Sequence, residues 1–204
     1  MSLSKITVAQ STATPGKAFE GLLEKKAIHG LTDGTWNFID SLRELIRIIG
    51  PAYFYISTWT AAKTNLDEVF RFMSARSVLG MKLLVDRSFL TRKPDVCRHA
   101  IKLFGKDCIR IWNSHAKFAV VSNDKHRILY LTSANLNPNI RIESYSIYHD
   151  HELATRYQQM VESLFEKQST DASSVKSRRD SEVLLREFYK DVASTGKVQG
   201  KAGS

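Results

Sequence analysis

Two kinds of periodicity alternate along this chain, and glycines stand at the joints between them. Phe38, Leu42, Leu45, Ile46 and Ile49 recur at helical spacing. Gly50-Pro51 ends that run, because proline cannot continue a helix. Ala52 to Thr58 is aromatic and β-branched, the composition of a strand. A second helical run, capped by Asn65 or Asp67, carries Leu66, Val69, Phe70 and Met73 on one face. It is expected to reach about Leu79, with Gly80 as its stop. Met81 to Val85 then reads as a buried strand, and Pro94 to Phe104 as a further helix closed by Gly105. Strand–helix–strand–helix alternation constrains the chain to an α/β fold, a mixed β-sheet flanked by helices.

After Gly105 the pattern changes to short strands. Cys108 to Trp112, Ala116 to Val121 and Arg127 to Leu131 each read as one, and Asn123-Asp124-Lys125 turns the last two into a hairpin. Another strand is expected over Glu143 to Tyr148. Asp150 can cap a helix reaching about Gln168, with Leu153, Tyr157, Met160, Val161, Leu164 and Phe165 inward. The expected organisation has three parts. Residues 1–31 are an arm or peripheral helix, and 32–168 the main domain, whose first helix starts at Thr32-Asp33-Gly34. Residues 169–204 are a linker, a basic helix from Lys176 to Val192 and a mobile tail.

Composition bounds the function. Of 204 residues 43% are hydrophobic, too many and too regularly spaced for wholesale disorder. The most apolar stretch, Leu45 to Trp59, is broken by Arg47 and Gly50-Pro51, well short of the ~20 residues of a membrane span. No membrane partner is expected. Met1 to Lys17 lacks the apolar core of a secretory leader, and the two cysteines, Cys97 and Cys108, read as free thiols of a reducing cytoplasm. Thirty Lys and Arg against 21 Asp and Glu leave a formal charge of +9, which favours a polyanionic partner.

The chemistry concentrates in Ser114-His115-Ala116-Lys117-Phe118 and in Thr132-Ser133-Ala134-Asn135-Leu136. On a strand, His115 and Lys117 would point to the same face, since the side-chain period is two. The hairpin would return Ser133 and Asn135 to the same end. These residue types suit a phosphodiester: lysine neutralises the non-bridging oxygens, serine and asparagine donate without adding negative charge, and a neutral imidazole can attack phosphorus. Trp59, after the first strand, could stack a base or sugar, although a core or rim tryptophan fits as well. Asn113, Ser114 and Thr58 are further candidate donors. His149-Asp150-His151-Glu152 reads as helix-start capping, and no metal is expected there.

These residues resemble the signature of the phospholipase D superfamily, H-x-K-x-x-x-x-D followed by a G-S-x-x-N or G-S-x-N-like element. His115 and Lys117 match the first element, Ser133 and Asn135 the second, and Glu143 the acidic residue that follows and pairs with the histidine. Position 122, where the aspartate would stand, is Ser122, and Thr132 replaces the glycine. The resemblance implies a phospholipase D-like fold and a cofactor- and metal-independent phosphodiesterase. His115, Lys117, Asn135 and Glu143 would be catalytic, and Ser133, Trp59 and Asn113 would bind substrate. Only one such motif is present, so the resemblance also implies a two-fold homodimer with a shared site. With the basic charge, the expected substrate is DNA or RNA. A non-catalytic nucleic-acid-binding module of the same fold, motivated by Ser122, and a phospholipase or phosphatidyltransferase remain as alternatives.

Overall fold

A computed structural model describes residues 6–9, 14–138 and 141–167. The α/β expectation holds. Among these residues one sheet contains β1 (Ile6–Ala9), β2 (Ala27–Leu31), β3 (Ala52–Thr58), β4 (Val78–Asp86), β5 (Ile109–Trp112), β6 (Phe118–Ser122), β7 (Arg127–Thr132) and β8 (Ser144–Tyr148). Their order across the sheet is β1-β2-β8-β7-β6-β3-β4-β5. The pairs β1–β2, β3–β4 and β4–β5 are parallel, and the others antiparallel. The parallel half follows from its connections. A helix crossover links β3 to β4 through α3 (Lys63–Ser74), and another links β4 to β5 through α5 (Pro94–Phe104). Between β4 and α5 lies the short α4 (Ser88–Arg92).

The central strand β6 shows how the two faces are filled. Ala119 and Val121 join the core beneath α2 (Phe38–Ile49), α3 and α5. Phe118 and Val120 point the other way, against Val161, Leu164 and Phe165 of α6 (His151–Lys167). A strand buried on both faces has an unbroken apolar sequence, which is why Phe-Ala-Val-Val contains no polar alternation. Asp150 starts α6 by accepting the Leu153 N–H at 3.0 Å, as its place before a helix predicts. No helix among the described residues is long and apolar enough to cross a membrane.

Several boundaries differ from expectation. The first 31 residues were expected as an arm or peripheral helix. They instead supply β1, the one-turn helix α1 (Pro15–Ala18) and β2, and β2 lies inside the sheet against β8. Phe19 and Leu22 are buried, and the Phe19 ring meets Trp36 and Tyr145 edge-on at 5.7 and 5.9 Å. The N-cap of helix α2 is Asn37, five residues after Thr32. Asn37 Oδ1 accepts the Ile39 N–H at 3.0 Å, and Asp40 Oδ2 accepts the Asn37 N–H at 3.0 Å. This reciprocal cap outcompetes the Thr32-Asp33-Gly34 start. Gly80 does not end α3 but sits within β4. A Cβ there would lie 3.1 Å from the Tyr53 ring, so the glycine makes room for a neighbour on β3. The basic helix expected over 176–192 lies outside the described residues.

Candidate active site

The hairpin β6–β7 sets the geometry. Its register pairs Phe118 with Leu131 and Ser122 with Arg127. At the turn, Asn123 Oδ1 accepts the N–H groups of Lys125 and His126 at 3.0 and 2.9 Å. At the open end the ladder runs one step further, and Thr132 N–H donates to the Lys117 carbonyl at 3.1 Å. Strand β8 joins the same end: Ser133 N–H donates to the Ser144 carbonyl at 3.0 Å, and Ser144 N–H donates to Ser133 Oγ at 2.9 Å. Buried Thr32 completes the row. Its N–H donates to the Glu143 carbonyl at 2.8 Å, and its Oγ1 accepts the Glu143 N–H at 3.0 Å. Lys117, Ser133 and Glu143 are thereby placed on neighbouring segments at one end of the sheet.

His115 and Lys117 precede β6 and lie in irregular chain, not on a strand. Ala116, expected as the first residue of that strand, lies outside it and is exposed. The two functional side chains still meet. Lys117 Nζ donates to the His115 carbonyl at 2.9 Å and stands 3.1 Å from Nδ1 and 3.4 Å from Nε2 of the same ring. An ammonium has only donors, so this contact is one that a ring nitrogen with a free lone pair makes. Ser57 at the end of β3 fixes the bend by donating to the Ala116 carbonyl at 3.0 Å. Trp59 follows, and its indole lies 5.3 Å from the His115 ring, centroid to centroid.

Glu143 and Ser133 form a second group. Ser133 Oγ donates to Glu143 Oε2 in a short hydrogen bond. The Lys117 ammonium is held below its usual 10.5 by burial, and the Glu143 carboxylate opposes that shift. The resemblance assigns Glu143 to the histidine, whereas here its carboxylate accepts from Ser133 and acts electrostatically on Lys117. Asn135 is half-buried with its amide oxygen enclosed and unpartnered. Its loop is tied to the site through Leu136, whose N–H donates to Thr58 Oγ1 at 3.1 Å and whose carbonyl accepts the Ala62 N–H at 2.9 Å. Asn113 is exposed just after β5.

Ser122, where the motif has aspartate, is buried at the opposite end of β6, paired with Tyr53 and Arg127. It lies five residue steps from Lys117, about 16 Å at ~3.3 Å per residue. It cannot reach a phosphate at His115.

Three residues with a role in this geometry carried no signal in the sequence. Thr32 reads as a helix start and Ser57 as one more strand residue. Arg92 ends α4, a helix too short for a periodic pattern, yet its guanidinium carbon lies 3.7 Å from the Trp59 ring centroid. A hollow of ≈380 Å³ opens beside Lys117, Thr132, Ser133 and Tyr157. The whole arrangement offers an imidazole, a partly buried ammonium and a serine–carboxylate pair at an open sheet end. Such a set can bind a phosphodiester oxygen and attack its phosphorus.

No protein-family model matches the sequence, and no curated protein matches it significantly. Solved structures do resemble its chain path. NucT from Helicobacter pylori is 17% identical, with 69% of this chain and 96% of that one covered at a TM-score of 0.47. Nuc from Salmonella typhimurium, a phospholipase D family member, is 14% identical, with 67% and 91% covered at a TM-score of 0.43. Phosphatidylserine synthase of Haemophilus influenzae is 15% identical over 83% of this chain and 46% of its own length, at a TM-score of 0.46.

Proposed function

We propose that this chain is a metal-independent phosphodiesterase of the phospholipase D superfamily, cleaving DNA or RNA through a phosphohistidine intermediate at a site shared by two subunits. The observation that carries the reading is the meeting of His115 and Lys117 beside Ser133 and Glu143. The four come from three segments of the chain and match the motif residue by residue. In the first step a His115 ring nitrogen bonds to phosphorus while the P–O ester bond breaks. The departing oxygen takes a proton from His115 of a second copy. Water then gives that imidazole a proton and bonds to phosphorus as the P–N bond breaks. Lys117 and Asn135 bind the non-bridging oxygens, and Ser133 holds Glu143 in place.

Two features support a second copy. One chain carries a single nucleophile–acid motif, so it lacks one of the two imidazoles this sequence of steps uses. Leu31 and Ile142, 52% and 70% exposed, flank Thr32 and Glu143 at the site's edge and offer apolar surface for a partner. The net charge of +9 suits a nucleic-acid substrate. The non-catalytic reading, motivated by Ser122, differs in predicting binding without cleavage. The decisive experiment incubates wild type and His115→Ala with DNA and with RNA in EDTA. Cleavage by the wild type alone is expected; no cleavage, or equal cleavage by both, overturns the reading.

A further inference from the structure

Beside His115 lies a small cleft of ≈220 Å³ lined by Trp59, Thr60, Phe89, Arg92, Lys93 and Asn137. Its construction is specific. Asp86 at the end of β4 accepts the Ser88 N–H at 2.9 Å and starts α4. Phe89 anchors that helix in the core, 1% exposed. The helix ends on Arg92, which lays its cation on the indole face of Trp59 at stacking distance. Lys93 follows directly. On the other side, the tie from Thr58 to Leu136 brings up Asn137, whose amide oxygen has no hydrogen-bond partner. Two cations and an aromatic platform thus line the cleft, and its six lining residues include no carboxylate.

We propose that this cleft seats the unpaired base of the nucleotide next to the scissile phosphate, so that the substrate is single-stranded nucleic acid. The inference rests on the phosphodiesterase reading and deepens it. Trp59 neighbours both groups: its ring lies 5.3 Å from the His115 ring, centroid to centroid, and 3.7 Å from the Arg92 guanidinium carbon. A phosphate at His115 therefore puts its attached sugar and base over the Trp59–Arg92 pair, with Lys93 toward the next phosphate. A cavity of about 150 Å³ holds a benzene ring, so ≈220 Å³ admits one heterocycle. In a duplex both faces of each base are covered by its neighbours. Stacking on Trp59 and Arg92 requires a base free of them. Because every base has a π-face, the cleft selects strandedness and not sequence.

The test is made in a His115→Ala background, so the strand survives. Binding of a fluorescein-labelled oligothymidylate, alone or annealed to its complement, is read by anisotropy over a salt series. Arg92 is exposed at a helix end, so its variants keep the fold. Arg92→Ala and Trp59→Ala each weaken single-strand binding about tenfold and duplex binding distinctly less. Arg92→Lys keeps the salt slope, because the charge remains, yet weakens the single strand too, because an ammonium has no flat face. Three results overturn the inference: Arg92→Lys binding like its parent, equal losses for strand and duplex, or no loss in Trp59→Ala. The two readings fail separately. Binding without wild-type cleavage sinks the catalytic proposal alone, and cleavage with strand-blind Arg92 variants sinks this one alone.

Discussion

Lys117 is a residue whose function and stability run in opposite directions with pH. Burial disfavours its ammonium, so in the folded chain the proton leaves below the usual 10.5. Phosphate binding needs the charged form, and activity is therefore expected to fall as pH rises through that lowered value. The unfolded chain keeps the same proton up to about 10.5. Between the two values the unfolded state binds more protons, so this residue's contribution to stability rises with pH there. Glu143 opposes the shift. Removing its charge in Glu143→Gln should move the alkaline limb of kcat/KM to lower pH, and a pH profile of both proteins reads the difference. A limb that stays in place would show that Glu143 does not act on Lys117.

At the scale of elements, a close approach binds β2 to β8. A Cβ on Gly30 would lie 2.6 Å from Cζ and 2.9 Å from Cε1 of Tyr145, whose ring is packed against Phe19, Trp36 and Tyr130. Gly30→Ala should destabilise the protein by about 1–3 kcal/mol in urea unfolding. Tyr145→Phe should not rescue it, since the clashing ring carbons remain. The same glycine explains why β2 was hidden. Ala-Ile-His-Gly-Leu has one β-branched residue, a glycine and no alternation, so nothing local announces a strand. Its place is set by β8, which lies far along the chain. Helix α5 and the β6–β7 hairpin were legible because their signals are local: Pro94 and Gly105 at the helix ends, Asn123 at the turn. The same holds at the site. His115, Lys117, Ser133, Asn135 and Glu143 stand out by residue type and spacing. The coil conformation of 113–117, the tie from Ser57 and the approach of Arg92 depend on segments that no short window contains.

For the whole molecule the working unit is the question. A shared site makes a mixed dimer of wild type and His115→Ala deficient, because one imidazole of the pair is missing. Adding excess His115→Ala subunits to a fixed amount of wild type should therefore suppress cleavage per wild-type chain. Dilution should lower it as well, and sedimentation should report a dimer at working concentration. Undiminished activity on mixing would assign a complete site to each chain. The hydrogen bond from Thr132 N–H to the Lys117 carbonyl has a consequence for the order of assembly. It closes a short loop, so its entropy cost is small. Leu136 N–H must instead wait for Thr58, which arrives only when β3 has paired with β6. In pulse-labelled amide exchange during refolding, Thr132 should become protected before Leu136. The anion-gripping half of the site would then exist ahead of the wall that chooses what the anion is attached to.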